Sequence, residues 1–164
     1  MTHPYDVLEL ENGGQFIFTP CPGTKGSSVS AALQTLSEAK VDAVVTLLSD
    51  RELSDLSLTS FSVDMQRTNF AWFQLPIDDD SEPDAAFENA WQYAKPSLLA
   101  LLNSGKHIAI HCRGGSGRTG LMAAILLMTA GAAWPEVKAQ IQSIRPKALR
   151  HPAHLSYLQK HFSI

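Results

Sequence analysis

One stretch of the sequence, HCRGGSGRTG at residues 111–120, gathers the residue types that can act on a phosphate group. It contains four of the ten glycines, two arginines and one of only two cysteines in the chain. A cysteine can react as a thiolate, and a guanidinium can bind two oxygens of one anion. We call residues 111–120 the signature loop, and its composition indicates an anion site beside a reactive thiol.

The residues around the signature loop predict a strand, a tight turn and a helix. Apolar HIAIH at 107–111 is typical of a buried strand, and a helix is expected to begin near Arg118. Ligands of parallel sheets bind where strands end and helices begin, because free backbone N–H groups and the helix dipole attract anions. We expect the amides of 113–118 to converge on one anion. Positive φ values at three glycines would permit this, namely Gly114, Gly115 and Gly117.

Individual side chains in the signature loop have distinct predicted roles. Cys112 is the expected nucleophile, since a helix N-terminus and neighbouring cations lower the pKa of a thiol. Arg118 would bind two phosphate oxygens, Thr119 would donate to the sulfur, and His111 would orient the loop and tune the thiol through a hydrogen bond. The remaining loop residues are expected to bind substrate: Arg113, Gly114, Gly115, Ser116 and Gly117.

Other glycine-rich sites explain the signature loop less well. A P-loop would need a lysine, which this loop lacks. GSGRTG does fit the dinucleotide pattern GxGxxG, but that interpretation gives Cys112 and Arg118 no role. A zinc site would need further ligands at short spacing, and a structural turn with an inert cysteine is the remaining alternative. Attack of a thiolate on phosphorus is the interpretation that uses all of these residues.

The signature loop matches HC(X)5R[ST], the motif of the cysteine-dependent protein tyrosine phosphatase superfamily. The chain resembles the compact dual-specificity branch, and within it the kinase-associated phosphatase group. Further points of similarity are PCPG at 20–23, DREL at 50–53, LPIDD at 75–79 and IRPKAL at 144–149. The resemblance implies a twisted sheet flanked by helices, a phosphocysteine intermediate, and no metal or other cofactor.

A general acid must protonate the leaving oxygen, because the thiolate cannot do so. The acidic run after LPI offers four carboxylates as candidates: Asp78, Asp79, Asp80 and Asp84. The family pattern P-I-x-D selects Asp79, with Asp78 as the main alternative. The run also fits a solvated loop in which Asp84 caps the next helix.

Phosphate monoesters of proteins are the expected substrates, carried on tyrosine, on serine or threonine, or on both. Phosphoinositides or other small phosphates are the alternative, and a phosphoprotein-binding module without turnover is a weaker one. Phosphate, sulfate or vanadate is expected to fit the signature loop. Lipid-phosphate enzymes of the superfamily often carry extra lysines in this loop, whereas here only Arg113 adds charge.

Hydrophobic patterning predicts one α/β domain over residues 1–164, with a mostly parallel central sheet between helices. An N-terminal hairpin is expected at about 5–19, and further strands at 42–48, 70–77 and 106–112. Predicted helices cover 28–39, 84–103, 118–130, 135–144 and 152–162, with short helices in 51–66.

Composition limits the partners of the chain. A net charge of −3 argues against nucleic acid and anionic membranes as partners. No signal peptide is recognisable, and the longest apolar run is too short to span a bilayer. Two cysteines provide no disulfide framework, so a reducing cytoplasm is the expected compartment.

Three weaker expectations lie outside the signature loop. Arg51 and Glu52 would form an ion pair that supports the loop, or merely an exposed pair at a helix start. Cys21 would be a small buried residue, or alternatively a disulfide partner of Cys112. Three histidines share one face of the last helix, for which a solvated face is the preferred interpretation: His151, His154 and His161.

Overall fold

The computed structural model describes residues 2–164, which form five strands and seven helices. The strands are β1 (Asp6–Glu9), β2 (Gln15–Thr19), β3 (Ala43–Thr46), β4 (Ala71–Gln74) and β5 (His107–His111). They make one sheet in the order β1-β2-β5-β3-β4. Only the β1–β2 hairpin is antiparallel, which confirms the predicted hairpin and the mostly parallel sheet.

Seven helices follow the predicted pattern closely. They are α1 (Val29–Glu38), α2 (Asp50–Asp55), α3 (Phe61–Gln66), α4 (Ala85–Asn103), α5 (Gly117–Thr129), α6 (Trp134–Ile144) and α7 (Pro152–His161). Side chains that cap first-turn amides fix four of the starts: Ser28, Ser49, Asp84 and His151 cap α1, α2, α4 and α7. The predicted capping role of Asp84 is therefore confirmed.

Side chains alternate between two hydrophobic clusters on opposite faces of the sheet. Phe16 and Phe18 of β2 pack into the larger cluster with α4, α5 and parts of α6 and α7. Ile17, between them, packs into the smaller cluster with residues of α1 and α3. Because both faces are covered, β3 is buried at every position, as expected of a central parallel strand. Helices on both sides of a mostly parallel sheet confirm the predicted fold class.

The carboxyl ends of the parallel strands lie at one edge of the sheet. Thr46 at the end of β3 is in register with His111 of β5 and with Gln74 of β4, and Thr19 of β2 is also paired with His111. The four segments that follow these strands consequently meet at this edge. They are residues 20–28, the start of α2, the acidic segment at 78–84, which we call the acid loop, and the signature loop.

Candidate active site

Cys112 lies at the floor of the signature loop with its sulfur surrounded by donors. The residue is 4% exposed, and its Sγ accepts hydrogen bonds from the Gly115 N–H and the Thr119 hydroxyl, both at 3.3 Å. Burial raises the pKa of the thiol, but these donors, the Thr119 amide and the Arg118 charge lower it by more. The net pKa is below the ordinary cysteine value, so the environment favours the thiolate.

Gly115 is the glycine that the loop conformation requires. Its φ is +83°, and a Cβ there would lie 2.6 Å from the carbonyl carbon and oxygen of Thr19. Gly114 and Gly117 do not have positive φ, so the expectation of left-handed backbone at all three glycines is wrong for two of them. Within the loop, left-handed backbone is confined to Gly115, whose carbonyl accepts a hydrogen bond from Arg145 Nε at 2.8 Å.

Arg118 is a buried guanidinium with one side committed to the protein. Its Nη1 donates to both carboxylate oxygens of Glu52, at 2.8 and 3.0 Å, and to the Ile77 carbonyl at 2.9 Å. Its Nε lies 3.6 Å from Oδ1 of Asp79. Within residues 2–164, Nη2 has no hydrogen-bond acceptor of its own. The Nε–Nη2 edge can therefore meet two oxygens of a phosphate.

Glu52 supports the signature loop through Arg118 rather than through Arg51. The expected Arg51–Glu52 pair does not form among the described residues, because Glu52 faces inward toward the buried Arg118 while Arg51 is exposed at the start of α2. DREL in the sequence signalled the importance of this segment. Arg118 is identified as the partner of Glu52 only when the start of α2 is placed beside the ends of the strands.

His111 connects the signature loop to the sheet as a neutral ring. Burial lowers its pKa to about 4. The Cys112 carbonyl, 3.2 Å from Nδ1, can only accept, so the proton lies on Nδ1. Nε2 then accepts from the Thr46 hydroxyl at 2.7 Å, and that hydroxyl in turn accepts from Trp72 Nε1 at 2.8 Å. His111 thus orients the Cys112 backbone; its hydrogen bond does not reach the sulfur.

The acid loop separates the four candidate carboxylates. Asp79 lines the pocket above Cys112 and is 69% exposed at its side chain. Asp78 faces the adjoining pocket, and Asp80, at φ +55°, lies 3.6 Å from His151 Nε2. Asp84 caps α4 through the Phe87 N–H at 3.0 Å. Of the four, Asp79 alone lines the Cys112 pocket.

The pocket above Cys112 has a volume of about 420 Å³. It brings together most of the site residues predicted from the sequence, and its lining is Thr24, Lys25, Leu56, Asp79, Cys112, Arg113, Gly114, Ser116, Gly117 and Arg118. Sequence reasoning missed Thr24, Lys25 and Leu56. The signal for Lys25 was the PCPGTKG segment, which follows a strand whose carboxyl end lies at the same edge as the signature loop.

The expectation that His151, His154 and His161 form a solvated face is wrong for His154. It is 3% exposed, and neither ring nitrogen has a hydrogen-bond partner. Its Cε1 would lie 3.8 Å from a Cβ on Gly117, so it packs against the start of α5. Burial first, and then the charge of His151, lower its pKa to about 4. The expectation fails because Tyr157 and Leu158, on adjoining positions of α7, turn this part of the helix toward the core.

Cys21 is buried beneath the signature loop and is a free thiol, as is Cys112. Its N–H donates to the Arg113 carbonyl at 3.0 Å. Burial, with the charges of Cys112 and Glu52, raises the pKa of its thiol to about 12. Cys21 therefore fills space in the smaller hydrophobic cluster as a neutral side chain, which agrees with the preferred expectation.

Residues 2–164 offer neither a metal-binding group nor a helix that could cross a membrane. No three histidine, cysteine, aspartate or glutamate side chains in this part of the chain form a group that could hold a metal ion. No helix in it combines the length and apolar character needed to cross a membrane.

A strand–loop–helix with a buried, donor-surrounded cysteine and an arginine six residues later defines a cysteine-dependent phosphatase. The family model described as "Polymorphic toxin system, DSP-PTPase phosphatase" matches residues 22–132. The chain belongs to this family of dual-specificity phosphatases. No curated protein sequence matches the chain significantly.

Solved structures with the same fold include several phosphatases. Kinase associated phosphatase, with serine at its catalytic cysteine, aligns with a TM-score of 0.83 at 19% identity, over 98% of this chain and 94% of that one. PTPMT1 in complex with PI(5)P gives 0.66 at 18%, over 95% and 92%. A putative protein tyrosine phosphatase from Leishmania major gives 0.67 at 16%, over 99% and 100%. These likenesses confirm the fold and the predicted similarity to kinase-associated phosphatase.

Proposed function

We propose that this phosphatase hydrolyses phosphate monoesters of proteins through a covalent phosphocysteine on Cys112. The observation that carries the proposal is the setting of the Cys112 sulfur. It accepts two hydrogen bonds at the floor of a pocket whose lining also includes Arg118 and Asp79. A thiolate, a guanidinium and an exposed carboxylate in one pocket supply the nucleophile, the anion clamp and the proton donor of this reaction.

In the first step, the Cys112 thiolate attacks phosphorus, the S–P bond forms and the bond to the leaving oxygen breaks. Arg118 holds two of the equatorial oxygens through Nε and Nη2. The first-turn amides of α5, where Ser116 provides no side-chain cap, face the third oxygen and its developing charge. Because Glu52 fixes the guanidinium beforehand, little reorganisation is needed when the transition state forms.

Asp79 transfers the protons of both steps. It first protonates the leaving alcohol or phenol, and as a carboxylate it then removes a proton from water. That water attacks phosphorus, the S–P bond breaks, and inorganic phosphate leaves with the thiolate restored. The Thr119 hydroxyl, 3.3 Å from Sγ, stabilises the departing sulfur as its negative charge returns.

Phosphotyrosine, phosphoserine and phosphothreonine are the proposed substrates. Arg113 is the one cation that the signature loop adds to Arg118, so the loop lacks the extra lysines that lipid-phosphate enzymes of the superfamily often carry there. The structural likeness to PTPMT1 with PI(5)P keeps phosphoinositides as the second candidate. We propose that residues 1–164 form one phosphatase domain that works without a cofactor. A reducing cytoplasm is the proposed compartment, because the reaction needs Cys112 as a free thiol.

The test is a substrate panel with an Asp79→Ala trap, which retains the nucleophile and the clamp but lacks the acid. Phosphopeptides, phosphoinositides and nucleotides are compared by kcat/KM for the natural sequence and by retention on the variant. We expect phosphopeptides to be hydrolysed fastest and to be retained. Faster hydrolysis of phosphoinositides would shift the proposal to the second candidate. Equal turnover by the Asp79→Ala variant would remove Asp79 from the mechanism.

A further inference from the structure

We propose that Lys25 and Arg113 form a second anion subsite at the mouth of the pocket. It would bind a carboxylate or phosphate on a residue next to the phosphorylated residue of a peptide substrate. The inference rests on the proposed function, since it concerns the selectivity of the same site. The argument starts from two cations, Lys25 and Arg113. The hydrolysis of a single phosphate gives neither of them an anionic partner.

Lys25 lies in the segment after β2, opposite the signature loop. It is exposed, lines the same pocket as Cys112, and forms no ion pair within residues 2–164. Its backbone is left-handed, at φ +60°, between Gly23 at +95° and Gly26 at +77°. Such a backbone costs free energy for a lysine, and here it places a cation at the rim of an anion pocket.

Arg113 is the second cation at this rim. Its carbonyl is fixed by the Cys21 N–H at 3.0 Å, so its side chain leaves the loop from a defined point. It is exposed and has no ion-pair partner among the described residues, in contrast to Arg118, which is held by Glu52. Two positive charges without ion-pair partners among residues 2–164 therefore line one pocket. A second anion bound at the mouth of this pocket would be attracted to both charges.

A peptide fits the surroundings of this subsite better than a lipid surface does. The pocket continues past Leu56, Asp79 and Arg113 into an adjoining pocket of about 510 Å³ lined also by Asp55 and Asp78. Lys25 lies at one end of this groove, and at the other end the carboxylates outnumber the one additional cation, Arg51. This distribution suits an extended chain with an acidic residue on one side. An anionic bilayer would have to approach the exposed carboxylates of Asp78 and Asp79.

The experiment compares kcat/KM for phosphopeptides that carry glutamate or glutamine next to the phosphorylated residue, tested on each side in turn. For one of the two positions beside the phosphorylated residue, the natural sequence is expected to give a higher kcat/KM with glutamate than with glutamine. Lys25→Met should lower that preference by about two- to five-fold, the usual effect of removing one exposed, charge-assisted contact. It should leave hydrolysis of p-nitrophenyl phosphate unchanged, because that substrate has no second anion. Arg113→Met should lower the preference as well.

Lys40→Met is the matched control. Lys40 is also an exposed lysine with a left-handed backbone, at φ +65°, but it does not line the pocket. Both variants remove one positive charge from a residue with a left-handed backbone. Because Lys40 lies outside the pocket, Lys40→Met should keep the full preference for glutamate. An unchanged preference in Lys25→Met, or an equal loss in Lys40→Met, would refute the subsite while leaving the proposed function intact.

Phosphoinositides distinguish the two proposals. Vesicles containing a bisphosphorylated phosphoinositide serve as the rival substrate for the same variants. If the natural sequence hydrolyses those vesicles but neither peptide, the proposed function and the peptide occupant both fail. If it hydrolyses the peptides and Lys25→Met selectively removes the glutamate preference, both proposals are supported.

Discussion

The signature loop and the acid loop differ in how the rest of the protein holds them. The signature loop is fixed from several directions. Arg145 and Cys21 bond to its backbone, Thr19 packs against Gly115, and His111 anchors its first turn. The acid loop places Asp79 at the pocket with a side chain that is 69% exposed and a single ion-pair contact, 3.6 Å from Arg118.

This difference corresponds to two chemical tasks. An anion clamp works by preorganisation, because donors already in position cost no reorganisation in the transition state. A proton donor must face leaving groups of different size and later face water, so its side chain has to stay accessible. Substitutions of the held residues of the signature loop should therefore affect both stability and chemistry, whereas substitution of the exposed Asp79 should affect chemistry alone.

The largest expected effect is the loss of the nucleophile. Cys112→Ser should lower kcat for p-nitrophenyl phosphate by about 10⁴-fold or more, because the hydroxyl is not ionised in this site. Vanadate or phosphate binding should persist, since Arg118 and the loop amides remain. Cys21→Ser is the control and should keep most of the activity. Turnover by Cys112→Ser within ten-fold of the natural sequence would exclude Cys112 as the nucleophile.

Removing the acid should give the next largest effect without destabilising the fold. Asp79→Asn should lower kcat for phenyl phosphate by about 10²- to 10⁴-fold, the usual contribution of general acid–base catalysis. The loss should shrink for p-nitrophenyl phosphate, whose leaving group needs less protonation. Asp78→Asn is the matched control, one residue away, and should change kcat only slightly. The reverse ranking would transfer the acid role to Asp78.

Neighbouring glycines of the signature loop should respond unequally to one added methyl group. Gly115→Ala should cost about 3 kcal/mol of unfolding free energy, from the positive φ and the clash with the Thr19 carbonyl. A Cβ on Gly114 would meet nothing within 4 Å, so Gly114→Ala should cost well under about 1 kcal/mol. Urea unfolding measures both. Equal costs would mean that the loop is not held against Thr19.

Acid should destabilise the protein through the two buried histidines, His111 and His154. Both have a folded-state pKa lowered to about 4 from 6.5. The unfolded chain therefore binds protons more readily, so their contribution is complete above pH 6.5 and is lost as pH falls toward 4. Each can contribute about 2 to 3 kcal/mol to this loss. His154→Gln should flatten the decline of unfolding free energy over that range, and an unchanged slope would contradict a buried neutral His154.

The smallest expected effect is a shift in the titration of Cys112. Its pKa lies below the ordinary cysteine value, so alkylation by iodoacetamide should stay fast when the pH falls below that ordinary value. The rate should decline only when the pH reaches the lowered pKa of Cys112. Thr119→Val removes one donor to the sulfur and should raise the inflection toward the ordinary cysteine pKa. Thr24→Val, at the rim of the same pocket, is the control. An inflection unmoved by Thr119→Val would remove Thr119 as a determinant of the thiol pKa.

The two loops also differ in how far they could be predicted. The signature loop was predictable as a strand, turn and helix because its spacing from Cys112 to Arg118 lies within one local segment. From its own composition the acid loop was predictable only as a choice among carboxylates, since its four candidate aspartates lie within seven residues and look alike in sequence. The family pattern P-I-x-D selected Asp79, and the structure adds that Asp79 lies 3.6 Å from Arg118 whereas Asp80 lies 3.6 Å from His151.

Contacts between distant segments account for what was missed. Glu52 was paired with its neighbour Arg51 in the sequence, but it binds Arg118, 66 residues away. His154 was assigned to solvent from its helical spacing, which describes a face but not what covers it. Lys25 shares the pocket with Cys112 because β2 and β5 are adjacent and parallel, a pairing that joins residues about 90 positions apart.

The sequence by itself determined the chemistry and the fold class. Thiol, guanidinium and glycines at fixed local spacing require a strand–loop–helix, and alternation of apolar segments requires a sheet covered on both faces. The tertiary structure decided which distant side chains serve that chemistry: Glu52 behind Arg118, Thr46 behind His111, Arg145 behind Gly115, and Lys25 at the rim. The physical reason is that short-range spacing sets local backbone geometry, whereas partners across strand ends depend on sheet order and register, which no single segment encodes.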